Sequence, residues 1–258
     1  MPAVSPSLKG RIALVTGASS GLGARFAQVL AAAGAKVVCA ARRLDRLGEV
    51  VAAIKAAGGE AVAVAMDVED EASVVAGFDA AVAAFSAAPR IVVANAGMNA
   101  RGLAVDIDMA DFDTLMAVNV RGVFLTAREG ARRMIAEGVA ETGEGRVVLI
   151  ASMAGLRPLP GLAPYSLSKA AVVMMTKALA VEWARKGVNV NAICPGYVET
   201  EINADWLAEP GGQKMLAGFP RRRVMPAESL DGALAYLCGP DSAFTTGAIL
   251  QVDDAQGI

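Results

Sequence analysis

At 258 residues the chain has the length of one α/β domain, and 55% apolar residues supply a large core and exclude a disordered chain. A formal charge of −2, from 24 basic and 26 acidic residues, lacks the basic excess of a nucleic-acid-coating surface. With 0 histidines, Ser-His-Asp and Cys-His catalysis and histidine-ligated metals are excluded, leaving Tyr, Lys, Asp, Glu and Cys for proton transfer. Cys39, Cys194 and Cys238 form no CxxC pair and sit in apolar runs, the pattern of buried thiols in a reducing compartment. Met1 to Gly10 carry no apolar signal core, and no run of about 20 apolar residues occurs. The sequence therefore predicts a cytoplasmic protein that neither spans a membrane nor binds nucleic acid.

In chain order, short runs rich in β-branched residues recur at Ile12–Val15, Lys36–Ala40, Ala61–Ala65, Ile91–Ala94, Val147–Ala151, Val188–Ile193 and Ala248–Val252. Stretches with helical spacing separate most of them, at Gly23–Ala33, Arg46–Ala57, Ala72–Phe85, Phe112–Glu137 and Tyr165–Lys186. Continuous apolar strands alternating with helices predict a parallel sheet covered on both faces. The expected architecture is a single-domain, doubly wound α/β sandwich with a seven-stranded parallel sheet. One segment breaks the alternation. Residues 201–225, with Trp206, Pro210-Gly211-Gly212, Phe219-Pro220 and Arg221-Arg222-Arg223, read as a lid over a site at the strand ends or as a plain surface connection.

The first strand runs into Thr16-Gly17-Ala18-Ser19-Ser20-Gly21-Leu22-Gly23 and then a helix. Glycines allow a tight turn and close backbone approach, and a helix N-terminus offers free amides and a positive dipole end to a pyrophosphate. Further along stand Asp67-Val68 after the third strand, Asn95-Ala96-Gly97 after the fourth, and Asn119 within a helix between Val118 and Val120. Ser152 ends the fifth strand, Tyr165 and Lys169 open a helix, and Pro195-Gly196-Tyr197-Val198-Glu199-Thr200 follows the sixth strand. Tyr165 and Lys169 are an i, i+4 pair, which puts them on one helix face with Cβ atoms about 5–6 Å apart. A nearby ammonium favours the phenolate. Bringing a phenol from about pKa 10 to about 7 takes roughly 4 kcal/mol of differential stabilisation.

This ordered set resembles the short-chain dehydrogenase/reductase family, and within it the 3-oxoacyl-carrier-protein reductase and ketoreductase branch. The resemblance extends from about residue 8 to residue 252. It implies a Rossmann fold and a reversible, metal-free oxidoreductase that interconverts a carbonyl (ketone or 3-oxoacyl) and a secondary alcohol by pro-S hydride transfer. It assigns Tyr165 as general acid/base, Ser152 as the holder of the substrate oxygen, and Lys169 as the group that lowers the tyrosine pKa and bonds the nicotinamide ribose. Asn119 is assigned to a proton relay through water. Gly17, Ser19, Ser20, Gly21, Leu22 and Gly23 are assigned to the cofactor phosphates, Asp67 and Val68 to adenine, and Asn95, Ala96 and Gly97 to the adenosine half. Pro195, Gly196, Val198 and Thr200 are assigned to the nicotinamide.

An acidic residue closing the second strand would bind the 2′-hydroxyl of NAD and repel a 2′-phosphate. Here the chain reads Ala40-Ala41-Arg42-Arg43, with no carboxylate before Asp45. Guanidinium forks suit phosphate oxygens. NADP(H) is therefore expected, with Arg42 as main contact and Arg43 as second, and NAD(H) as the alternative. Met98, Met153, Leu156, Leu159, Tyr197, Trp206 and Phe219 are expected to line an apolar pocket for a small carbonyl or alcohol substrate. Arg101, Arg157 and Arg221–Arg223 read as sites for an anionic substrate tail or as a solvated face.

The C-terminal run Val252-Asp253-Asp254-Ala255 departs from the family's Val-Asp-Gly-Gly, at an end that usually packs on a neighbouring subunit. The helices Phe112–Glu137 and Tyr165–Lys186 resemble the family's paired interface helices and imply a homotetramer, with a dimer as the alternative. Two other function classes stand beside the reductase: a catalytically inactive NADP-binding sensor or scaffold, and an epimerase. Loss of Tyr165 or Lys169 would favour the sensor, and a longer chain the epimerase; neither holds here.

Overall fold

The computed structural model describes residues 8–100, 102–199, 207 and 209–258. Seven strands, β1 (Ile12–Thr16), β2 (Lys36–Ala41), β3 (Glu60–Ala65), β4 (Ile91–Ala94), β5 (Gly145–Ile150), β6 (Val188–Pro195) and β7 (Ile249–Val252), pair in parallel in the order β3-β2-β1-β4-β5-β6-β7. Every residue of β1, β4, β5 and β6 is buried, because helices cover both faces of the sheet. One face packs β1 and β2 residues such as Val15 and Val37 against α1 (Gly21–Ala32) and α2 (Leu44–Ala56), through Phe26, Leu30 and Leu47. The opposite face packs Leu14, Val92 and Leu149 against α3 (Glu71–Phe85), α5 (Val123–Ala136) and α7 (Ala163–Trp183), through Phe78, Met134 and Val172. This is the predicted doubly wound Rossmann architecture. Cys39, Cys194 and Cys238 are buried free thiols, and burial pushes them up to about 12, 11 and 12.

The strand order reverses between β1 and β4, where the connections leave in opposite directions and open a crevice at the strands' C-terminal ends. All the chemistry described below lies along that edge.

Three element boundaries correct the sequence reading. First, α1 begins at Gly21, not Gly23, so Gly21, Leu22 and Gly23 form its first turn. Second, Phe112–Glu137 is not one helix. It is divided between α4 (Met109–Met116), a π-helical turn (Ala117–Gly122) and α5, and a separate single turn, α6 (Val139–Thr142), follows it. The π turn holds an extra residue, which re-aims Asn119. Gly122 closes that turn against Val68: a Cβ there would lie 2.8 Å from Val68 Cγ2. Third, the segment 201–225 carries a helix that the sequence reading did not assign. It includes α8 (Pro210–Gly218), and Val198 bridges Met225 just beyond it. The last helix, α9 (Asp231–Cys238), then leads to β7. Residues 200–206 and 208 lie outside the described residues, so the lid reading rests on the rest of the segment.

Candidate active site

A cavity of about 730 Å³ follows the C-terminal edge of the sheet from the β1–α1 turn to α7. At one end lie Gly17, Ser19, Ser20, Gly21, Leu22 and Gly23. Gly17 adopts φ +67, where a Cβ would lie 2.9 Å from Ala96 Cα, and a Cβ on Gly23 would sit 2.2 Å from the Gly17 carbonyl oxygen. These two glycines let the turn fold back on its own helix and on Asn95, a closer approach than any side chain permits. Asn95 Nδ2 donates to the Thr16 carbonyl at 2.9 Å, and Thr16 Oγ1 accepts from the Asn95 and Ala96 amides at 3.1 Å each. Thr16, to which the motif reading gave no role, thus staples β1 to the Asn95-Ala96-Gly97 turn.

Ser20 is the N-cap of α1, yet its side chain does not cap the helix. Instead Arg43 Nη2 donates to both Ser19 Oγ and Ser20 Oγ at 3.0 Å. Arg42 points elsewhere: it is 69% exposed, 3.5 Å from Glu69 Oε1 and 4.0 Å from Asp67 Oδ2. Both arginines line the cavity, Arg43 against the serine turn and Arg42 beside Asp67. Asp67 is fixed by Ser73, whose Oγ accepts its amide, and its Oδ1 accepts from the Glu69 amide. Asp67 and Val68 line the cavity wall beyond Arg42.

At the other end Ser152, Tyr165 and Lys169 converge from the end of β5 and the start of α7. Ser152 bonds the Tyr165 hydroxyl and also caps its own turn, Oγ accepting from the Ala154 amide at 3.1 Å. Lys169 is 4% exposed, its Nζ donates to the Ile150 carbonyl at 2.9 Å, and it lies 5.7 Å from the centre of the Tyr165 ring. Burial pulls the Lys169 ammonium down to about 8. Burial also raises the Tyr165 phenol above its ordinary value, while the Ser152 hydrogen bond pulls the other way. Lys169, its ammonium committed to the Ile150 carbonyl, is not among the groups that shift the phenol.

Asn119 is fully buried behind the cavity wall. Its Oδ1 accepts from the Met98 amide at 2.8 Å, and its Nδ2 donates to the Met98 carbonyl at 2.9 Å and to Ser168 Oγ at 3.1 Å. Ser168 in turn donates to the Tyr165 carbonyl at 2.7 Å. The π turn thus ties the Gly97-Met98 strand end to the helix that carries Tyr165 and Lys169. Sequence reasoning missed Ser168; its place one residue before Lys169 is the signal that could have found it.

Pro195, Gly196, Tyr197 and Val198 complete the rim, with Met98, Met153 and Leu159 at the mouth. Phe219 packs on Tyr197 with ring centres 5.5 Å apart. Leu156 points outward at 44% exposure and is not part of the wall. Thr200, Trp206 and Arg101 lie outside the described residues. Asn99 lines the mouth as well, and its Oδ1 is buried with no partner among the described residues. Three of the arginines offered for an anionic tail have internal partners. Arg157 donates to the Ile258 main-chain oxygen at 2.7 Å, and Arg221 and Arg223 both pair with Asp254. Among the described residues no helix is long and apolar enough to cross a membrane, and no group of three or more Cys, Asp or Glu is placed to hold a metal.

Comparison with known proteins agrees with this geometry. Residues 11–211 match the short chain dehydrogenase family. Gluconate 5-dehydrogenase of Gluconobacter oxydans is 36% identical over 248 residues, covering 96% of this chain and 94% of its own. A 3-oxoacyl-[acyl-carrier-protein] reductase of Synechocystis is 35% identical over 249 residues, covering 96% and 97%. A solved structure from Agrobacterium tumefaciens, described as a candidate 2-deoxy-D-gluconate 3-dehydrogenase with bound NADP, superposes with a TM-score of 0.87 at 38% identity over 97% of each chain. The chain belongs to the short-chain dehydrogenase family and is an oxidoreductase acting on alcohol and carbonyl groups. Members of this family bind NAD or NADP.

Proposed function

We propose that this protein is an NADP(H)-dependent reductase of a small carbonyl compound, working reversibly. The observation that carries this reading is the placement of Ser152, Tyr165 and Lys169 at one end of a cavity whose other end is the Arg43-clamped serine turn. The uncapped first turn of α1 suits a pyrophosphate, and the double-glycine packing brings the backbone close enough to hold one. The bound nicotinamide dinucleotide supplies the hydride.

The chain's own residues do the rest. Ser152 holds the substrate oxygen and the Tyr165 hydroxyl at one point, so charge growing on that oxygen meets two donors. Tyr165, kept protonated by burial, gives its proton to the oxygen and in the reverse direction takes it back. Lys169 keeps a positive charge beside the ring that stabilises the phenolate left behind. Asn119 and Ser168 fix the backbone on both sides of this pair and, in this reading, bound the route by which the proton is restored. The apolar lining by Met98, Met153 and Leu159 suits a hydrophobic carbonyl. The protein is further proposed to be cytoplasmic and homotetrameric.

Cofactor choice tests the phosphate end. Wild-type protein is expected to favour NADPH over NADH in kcat/KM. Arg43→Ser should shrink that ratio by about tenfold or more, since one charge-assisted phosphate contact is worth about 1.5–3 kcal/mol. Arg42→Ser should change it less. Equal rates with both cofactors in the wild type would sink the NADP assignment.

A further inference from the structure

Four non-glycine residues among those described have positive φ, and three of them meet at one contact: Arg222 (φ 50), Asp254 (φ 52) and Ala255 (φ 66). Left-handed backbone is disfavoured for residues with a Cβ, so it persists only where surrounding contacts hold it. Here the contacts are visible. Asp254 accepts from Arg223 Nε at 2.7 Å and lies 3.3 Å from Arg221 Nη1, one arginine on each side of the strained Arg222. Asp253 is buried, and its carboxylate accepts the Ala255 and Gly257 amides at 3.1 and 2.9 Å, which winds the tail into a tight coil.

That coil presents Gln256, which is 3% exposed, to the rim of the active site. Gln256 Oε1 accepts the Tyr197 amide at 2.6 Å, and Nε2 donates to the Arg223 carbonyl at 3.2 Å. The Arg223 strand end continues to Met225, whose amide donates to the Tyr197 carbonyl at 2.9 Å. Gly196 is glycine because of this tail: a Cβ there would lie 2.5 Å from Gln256 Oε1 and 2.8 Å from Asp253 Cα. The tail, the rim loop Pro195–Val198 and the segment that follows α8 therefore form one hydrogen-bonded unit beside the cavity.

We propose that the C-terminal tail is a positioning device for hydride transfer, with Gln256 holding the rim loop over the reacting end of the cavity and Asp254 fixing the segment that follows α8. Neither residue touches the reacting atoms. This rests on the oxidoreductase reading for its kinetic consequence but not for its structural one. Gln256→Leu removes both hydrogen bonds, while Gln256→Glu keeps an acceptor for the Tyr197 amide. Asp254→Gly removes the carboxylate at a φ that glycine adopts without strain, so it keeps the fold if the leucine variant does not.

The test combines amide hydrogen exchange of full-length protein with kinetics using NADPH deuterated at the transferred position. In Gln256→Leu, exchange at the Tyr197 amide should rise at least tenfold. The kcat should fall about tenfold with a larger isotope effect, while NADPH affinity changes by less than threefold. Gln256→Glu should restore most of the kcat. Asp254→Gly should raise the KM for the carbonyl and speed exchange across Tyr197 to Glu199. Unchanged exchange at Tyr197 and an unchanged isotope effect in folded Gln256→Leu or Asp254→Gly would overturn the proposal. If the wild type turns over no carbonyl, the oxidoreductase reading fails by itself, and the exchange data still decide whether the tail holds the loop.

Discussion

At the scale of single residues, the site is governed by burial as much as by charge. Lys169 shows this most clearly. Its ammonium is buried with one carbonyl partner, and its pKa falls from 10.5 to about 8. A lysine with a depressed pKa destabilises the fold while it is charged. That penalty is complete below pH 8 and fades as the pH climbs toward 10.5, because the unfolded chain then binds more protons than the folded one. Relative to Lys169→Met, the wild type should therefore gain stability between about pH 8 and 10.5, measured as the difference in denaturation midpoint. A constant difference across that window would show that the lysine is solvated. The four candidate catalytic residues, Asn119, Ser152, Tyr165 and Lys169, were legible through the resemblance to the family's ordered motifs; the lack of histidine alone leaves many tyrosines, lysines and carboxylates and says nothing of Ser152 or Asn119. What could not be read was that burial raises the Tyr165 phenol, since burial depends on everything packed around it. The preference of Ser19 and Ser20 for Arg43 over Arg42 was equally hidden, because neighbouring residues at a strand end point in different directions.

At the scale of elements, the break between α4 and α5 is the informative departure. A run of helical periodicity from Phe112 to Glu137 gave no sign of a π turn, because one extra residue barely disturbs the apolar spacing. The turn exists for Asn119, whose three hydrogen bonds are worth more than regular helix geometry at that point. On the outer face of α7, Leu167, Met174 and Val181 recur at seven-residue spacing and are 53, 63 and 81% exposed. A shallow apolar groove beside Phe124 and Met175 lies between α4, α5 and α7. An exposed stripe with this repeat fits a helix-pairing surface, in keeping with the proposed tetramer. Phe124→Glu should move the sedimenting species toward dimer or monomer while NADPH affinity stays within a few-fold. A monomeric wild type would remove the oligomer reading.

At the scale of the whole molecule, the sheet order decides where function lies. The reversal between β1 and β4 opens the one edge at which the glycine turn, the Asn95 turn, Ser152 and the Pro195 loop all emerge. That arrangement was legible, because alternating apolar strands and helices admit few topologies and each motif sits just after a strand. The C-terminal tail was not legible. Asp254 and Ala255 stand where glycines were expected, and only the fold shows that Arg221, Arg223 and Tyr197 come within reach of that tail. In the proposed reaction Tyr165, positioned by Ser152 and backed by Lys169, transfers the proton during NADPH-dependent carbonyl reduction. The most direct test is NADPH oxidation at 340 nm against paired ketones with and without a neighbouring hydroxyl, in wild type and Tyr165→Phe. Turnover by the wild type that falls by about 100-fold or more in the variant, with cofactor affinity retained, is the predicted result. Equal turnover in both proteins would contradict it.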